Sequence, residues 1–325
     1  MSELRYNPLL DTYTIVAGNR QNRPNMPKDW CPFCPGIGKK VPDNYDVLVY
    51  PNDFPALSFD NEDVEILDSA VYYKKKAIGA CEVILYSSNH TANLYNLSDQ
   101  NVLKLVKTWI DRFNYYKNFS EVKYIFSFEN RGKEVGVTMP HPHGQLYAYP
   151  FIPQKIETEL FNAKKYFEQH QINLFDVMLQ EELDFKQRVI VETETFVVYL
   201  PFFTDYPYGI FITSKKDKLY ISDFDDKEQL ELAVLLKKVV RMFDNLFSKP
   251  FPFMMCIHQG VVNDEQYPEN EQRKYYRFHI EFYPPLRDEN TIKYYASSEM
   301  GAWAAANTKL VEMTAIELRA TFQKG

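Results

Sequence analysis

Thr138-Met139-Pro140-His141-Pro142-His143-Gly144-Gln145-Leu146-Tyr147-Ala148-Tyr149 changes character halfway along. Its second part alternates polar and apolar residues with period two, the pattern of a half-buried antiparallel strand. Its first part places two histidines two residues apart, so on extended backbone both rings point to one side. Similar alternation predicts strands over 122–128 and 195–200. Between such stretches lie amphipathic helices. One starts at Ser98, a plausible N-cap, and carries apolar side chains at Val102, Leu105, Val106, Trp109, Ile110 and Phe113 on one face. Another starts near Ser222-Asp223-Phe224-Asp225, where serine and acid are spaced as in a capping box, and continues through Leu230, Val234, Leu235, Val239 and Phe243.

Set side by side, the two halves of the chain repeat one order of parts. In the first, a strand over 81–86 leads to Leu97-Ser98-Asp99, a long helix, the strand over 122–128, a loop, and the strand opening at His141. In the second, a strand over 209–213 leads to Ile221-Ser222-Asp223, a long helix, a strand over 253–258, a loop, and the strand Tyr276-Arg277-Phe278-His279-Ile280-Glu281-Phe282. The expected fold is therefore α+β, two fused copies of one unit with antiparallel sheets and packed helices. Only the first copy carries the histidine pair. No Gly/Ser-rich linker separates the copies, so the expected division into 1–185 and 186–325 is a soft boundary within one packed body.

Composition narrows the function. The 325 residues are 45% hydrophobic, enough for a large core, and no apolar run nears the roughly 18 residues of a membrane span. The start lacks the basic flank and apolar stretch of a signal peptide, so the expected location is the cytoplasm. Four cysteines do not make a disulfide scaffold, and Cys31-Pro32-Phe33-Cys34 suits a metal or redox pair. A formal charge of −7 disfavours wrapping a nucleic acid backbone. Any phosphate bound is a small one, held by a few placed residues.

The histidine segment supplies such chemistry. A neutral imidazole attacks phosphorus if one ring nitrogen is held by an acceptor and the other keeps its lone pair. Gly144 lets backbone approach a ligand, and Gln145 donates a hydrogen bond to a phosphoryl oxygen without adding charge. Arg20 and Arg23, three apart in a loop rich in Asn and Pro, suit phosphate forks as well as any solvated surface.

His-Pro-His-Gly-Gln at 141–145 resembles the active-site motif of the galactose-1-phosphate uridylyltransferases. They are a branch of the histidine-triad superfamily in which glutamine stands where hydrolases have a third histidine. Six further segments resemble the family in order: Arg5 to Leu9, Arg20 and Arg23 before Pro24, Cys31 to Cys34, Asn52 to Leu57, Phe128 to Gly132, and Phe282 to Arg287. The resemblance implies a double displacement. His143 takes the uridylyl group of UDP-glucose, glucose 1-phosphate leaves, and galactose 1-phosphate then accepts the group. The His141 carbonyl should hold the other nitrogen of His143, and Gln145 the transferred phosphoryl group.

The same resemblance implies uracil and ribose contacts at Asn52 and Asp53, and phosphate contacts at Arg20, Arg23, Asn130 and Thr138. It implies sugar and phosphate contacts at Glu299 and Lys293, and a homodimer whose sites draw on both subunits. Cys31, Cys34, His90 and His141 resemble the family's zinc ligands, and two thiolates with two imidazoles form a closed tetrahedral set. A second metal, iron or zinc in some relatives, would draw on Glu159, His258 and His279. There the family has a histidine where this chain has Glu281. At the hexose end, family members carry Tyr-Glu-Met and a glutamine six residues beyond the glutamate. This chain has Ser298-Glu299-Met300 and Ala305, with Asn307 as a possible substitute. Two other readings keep part of this picture: a phosphorylase or adenylyltransferase of the same fold acting on ADP-glucose or a dinucleoside polyphosphate, and a non-catalytic zinc-bearing nucleotide-binding protein.

Overall fold

The computed structural model describes residues 2–22, 30–36, 40–65, 67 and 69–323. Twelve strands are formed among them: β1 (Ser2–Asn7), β2 (Thr12–Ala17), β3 (Leu48–Pro51), β4 (Lys74–Lys76), β5 (Ala80–Leu85), β6 (Tyr124–Arg131), β7 (His143–Tyr149), β8 (Val189–Glu192), β9 (Phe196–Tyr199), β10 (Ile210–Ser214), β11 (Phe253–His258) and β12 (His279–Tyr283). The helices are α1 (Asp99–Tyr116), α2 (Gln154–His170), α3 (Leu174–Phe185), α4 (Asp226–Leu246), α5 (Glu269–Tyr275), α6 (Ser297–Ala302) and α7 (Val311–Phe322). β1, β2 and β4 make a three-stranded sheet; the other nine form one antiparallel sheet in the order β3-β5-β7-β6-β11-β12-β10-β9-β8.

That order contains the duplication. From the middle outward, β6, β7 and β5 of the first half mirror β11, β12 and β10 of the second, so an approximate two-fold axis pierces the sheet between β6 and β11. The sheet runs unbroken across the join. Period-two alternation then gives it two faces. One face buries Ile84, Leu146, Ile125, Met255, Ile280 and Ile212 against α1, α4 and α7 in the principal core. The other face carries a row running across eight strands through register pairs: Tyr50, Val83, Gln145, Phe128, Cys256, Glu281, Phe211 and Tyr199. At one end this face is covered by the small sheet, with Leu4, Leu57 and Ala77 on Cys81 and Tyr147. At the other end α3 covers it, through Leu179 on Val197 and Tyr199. The middle stays open as a cavity of about 600 Å³ over Phe126, Phe128, Asn130, Met254, Cys256 and His258.

Helix starts follow local chemistry. Ser98 caps α1, its Oγ accepting the Asn101 N–H at 3.1 Å, and Val102, Leu105, Val106, Trp109 and Phe113 are buried, with Ile110 half-buried. α4 begins later than its sequence suggests. Its capping box is Asp225 with Glu228, whereas Ser222 sits in a 3-10 turn over Ile221–Asp223. The cause is Asp223, whose carboxylate accepts the N–H groups of Leu219 and Tyr220 and so stabilises a separate turn. At the outer strand β8, the Arg319 guanidinium of α7 donates to the carbonyls of Gln187 and Val189, each at 2.8 Å.

Candidate active site and metal centres

β7 begins at His143, so the ring and Gln145 share the open face, and Gly144 between them faces the helices. The ring's Nδ1–H donates to the carbonyl of His141 at 2.8 Å. That bond fixes the tautomer and leaves Nε2 as the atom carrying the lone pair. Gln145 is half-buried, and its Oε1 accepts a long 3.4 Å bond from the Tyr147 hydroxyl.

Behind the strand lies a pair that sequence reasoning missed. The Tyr86 hydroxyl donates to Glu129 at 2.9 Å, and a Cβ at position 144 would meet that hydroxyl at 2.5 Å and the Phe128 carbonyl at 3.0 Å. Only glycine lets β7 lie this close. Burial pushes the Glu129 carboxyl up to about 7, against the lowering effects of the Tyr86 bond and the Arg131 charge. Period two sends Glu129 to the helix-facing side of β6 together with Ile125, Ser127 and Arg131, so the strand's own pattern does not mark it out.

His143, Asn130 and Thr138 line one cavity of about 360 Å³, together with Tyr86, Glu129 and Lys133. Asn52 and Asp53 follow β3, two strands from His143. Asn52 donates its backbone N–H to the Cys81 carbonyl at 3.2 Å, while Asp53 accepts from Lys40 at 2.9 Å and from the Tyr50 hydroxyl at 3.0 Å. Arg20 is half-buried in a 3-10 turn, near enough to the Cys81 thiol to oppose the rise that burial imposes on it. Arg23 lies outside the described residues.

Lys293 and Glu299 are not among the residues lining the His143 cavity. Lys293 is buried, its ammonium donating to the Asp205 carbonyl and lying 5.0 and 4.8 Å from the rings of Tyr206 and Tyr295. Glu299 accepts the Ala296 N–H at 3.2 Å on an arm where Tyr294, Met300 and Trp303 are exposed. The Asn307 amide donates to the carbonyls of Thr204 and Tyr206, so it acts as a backbone brace.

Among the described residues two clusters could hold a metal ion, each with ligand atoms within 4.8 Å of one another. In the first, His141 Nδ1 lies 3.7 Å from both the Cys31 and Cys34 sulfurs, and His90 Nδ1 lies 3.3 Å from Cys34. Sulfur and nitrogen on one tetrahedral zinc stand about 3.5 Å apart, so these residues fit that ion. His141 Nε2–H donates to the Ser87 carbonyl at 2.8 Å, which turns Nδ1 towards the thiols, and burial pushes the imidazole down to about 4, keeping it neutral.

The second cluster joins Glu159, His258, His279 and Glu281. His258 stands between the carboxylates, Nδ1 at 3.0 Å from Glu159 and Nε2 at 3.3 Å from Glu281. Burial works to raise the Glu281 carboxyl, but His258, Lys155 and His279 outweigh it and hold it well below the usual carboxylate range. The approximate two-fold axis explains its place. His279 Nδ1 faces the Arg277 carbonyl at 3.0 Å, as His143 faces that of His141. Register makes Glu281 the counterpart of Gln145, and His258 that of Asn130.

A sheet built twice, with the inner strand of one copy opening on a tautomer-locked histidine, defines a duplicated α+β protein with its histidine site in the first copy. Its second copy keeps the frame and has lost the motif. The chain belongs to the galactose-1-phosphate uridyl transferase family: the family's N-terminal domain matches residues 1–153 and its C-terminal domain residues 159–320. A galactose-1-phosphate uridylyltransferase of Thermotoga maritima is 38% identical over 322 residues, covering 99% of each chain. One from Schizosaccharomyces pombe is 31% identical over 324 residues, covering 90% of this chain and 87% of the relative. A solved uridylyltransferase structure superposes with a TM-score of 0.89 at 25% identity over 99% of both chains. An ADP-glucose phosphorylase of Arabidopsis thaliana, at 23% identity and a TM-score of 0.74 over 98% of both chains, shares the fold.

Proposed function

We propose that the protein exchanges UMP between UDP-glucose and galactose 1-phosphate through a uridylyl group carried on His143. The observation that carries this reading is the 2.8 Å bond from His143 Nδ1–H to the His141 carbonyl, which presents Nε2 as nucleophile on the open face beside Gln145. Nε2 attacks the α-phosphorus, the bond to the bridging oxygen breaks, and glucose 1-phosphate leaves with that electron pair. A phosphate oxygen of galactose 1-phosphate then attacks the same phosphorus and returns the pair to Nε2. The Gln145 amide donates to the transferred phosphoryl oxygen, a role that typically contributes a few kcal/mol to the transition state. Having no proton to exchange near neutral pH, it does not activate water.

Asn130 and Thr138, which share the cavity with His143, serve as phosphate ligands with Arg20 and Arg23. Asn52 and Asp53 take the ribose and uracil. The Cys31, Cys34, His90 and His141 cluster holds zinc with no vacant position, so the metal braces the N-terminal segment against β7. The exposed arm bearing Met300 and Trp303 supports a homodimer in which Glu299 and Lys293 serve the partner's site. The division at residues 185 and 186 and a cytoplasmic location belong to the same reading. Among the described residues no helix is long and apolar enough to cross a membrane.

Mass spectrometry after incubation with UDP-glucose tests the proposal: one uridylyl group should appear on His143, persist in buffer for minutes, and be discharged by galactose 1-phosphate within manual mixing time. Stronger labelling by ADP-glucose, or release of UMP to water as fast as to sugar phosphate, would overturn it.

A further inference from the structure

We propose that the Lys155 ammonium is the resident cation of the Glu159, His258, His279 and Glu281 cluster, and that a divalent metal enters this cluster only by displacing it. The inference does not rest on the transfer reaction. It starts from the two-fold relation, which puts Glu281 where the first half has Gln145 and so adds a negative charge at a side chain only 2% exposed. A buried carboxylate in the company of a second one needs a cation.

The chain supplies one. Lys155 lies in the first turn of α2, and its Nζ is 2.5 Å from Glu281 Oε2 and 3.8 Å from Glu159 Oε1, with the Tyr283 hydroxyl as a further partner. It bridges carboxylates from a helix and a strand, as a metal ion would. The remaining acceptor positions are also in use. Glu159 Oε2 accepts from the Tyr276 hydroxyl at 2.8 Å and faces His258 at 3.0 Å, and Glu281 Oε1 faces His279 Nε2 at 3.5 Å. Metal entry therefore costs an existing ion pair as well as the dehydration of the ion.

Displacement is nonetheless open to the lysine. Its side chain is 55% exposed and lines the 600 Å³ cavity of the open face, so the stem can swing outward without disturbing the core. Lys155 is thus a competitor within the chain, set against any divalent ion by the substitution of glutamate for glutamine in the second copy.

The test uses the full chain with its cysteine site loaded with zinc, and manganese(II) as probe, because carboxylate and imidazole ligands suit that ion and thiolates do not. Bound manganese is counted by the loss of the free-ion electron paramagnetic resonance signal. Lys155→Met should bind one manganese at least tenfold more tightly than the parent chain, and Glu159→Gln added to it should abolish the gain, which locates the ion. Thermal unfolding gives a second readout: Lys155→Met should be less stable than the parent without manganese and recover with it. If Lys155→Met fails to fold, Lys155→Gln keeps the length and polarity of the stem and is expected to show the same gain. Equal manganese affinity in parent and variant, whether tight in both or absent in both, overturns the proposal.

Discussion

An imidazole becomes a usable nucleophile when something decides which nitrogen keeps its proton, and at His143 a backbone carbonyl two residues back makes that decision. His143→Ala is therefore expected to abolish uridylyl transfer while leaving the melting temperature within about a degree or two, since the half-buried ring supports no core contact cluster. Activity within tenfold of the parent enzyme would end the nucleophile assignment. Glu129 is a different kind of residue. Its carboxyl is raised to about 7 by burial, so the folded chain favours the protonated form. The stability this gives is fully present below the ordinary carboxylate pKa and is lost as pH rises through about 7. Glu129→Gln should remove that pH dependence, flattening the fall in unfolding free energy between pH 4.5 and 8 by on the order of 3 kcal/mol. Parallel pH curves for the two proteins would show that the carboxyl is already ionised. His143 and Gln145 were legible from the chemistry of the histidine segment and its motif, and period two along β7 puts the two on one face. Glu129 was not singled out, because its meaning depends on Tyr86 arriving from another strand and on the missing Cβ of Gly144.

Elements were read well where a local rule sets them and poorly where a remote partner does. α1 starts at its serine cap because that cap needs only its own first turn, whereas α4 is delayed by an aspartate that finds backbone donors upstream. β4 is Lys74-Lys75-Lys76, which looks like a solvated charge run. It is a strand because it pairs with β1 from Glu3 to Arg5, where Glu3 also meets the Lys74 ammonium at 3.4 Å. The segment carrying Cys31 and Cys34 has little regular structure and is tied to the β7 entry through His141. Cys31→Ser or His90→Ala should lower zinc per chain and thermal stability together, with activity falling only as folded protein is lost. Unchanged metal content in both variants would show that the four residues are not the ligands.

At the scale of the molecule, the repeat was visible in the order of parts, but the meeting of β6 with β11 was not, because nothing in either strand's own sequence names its neighbour. That junction turns two copies into one sheet and places Gln145 and Glu281 in the same row, three strand spacings or about 14 Å apart. The arm around α6 projects Met300 and Trp303 at 65% and 61% exposure, a poor arrangement for an isolated chain. Replacing both with serine should shift the protein from dimer to monomer in sedimentation velocity; a monomer already in the parent chain would remove the shared-site reading. Arg319 bears on how copies can meet. By occupying the Gln187 and Val189 carbonyls it denies incoming backbone the acceptors on which polymerisation along a sheet begins, and the opposite rim, β3, is four residues long and ends in a proline that has no N–H to offer. Growth of the sheet from molecule to molecule is thereby discouraged at both rims, so the proposed pairing through the arm can stop at a closed pair instead of running on into a fibre.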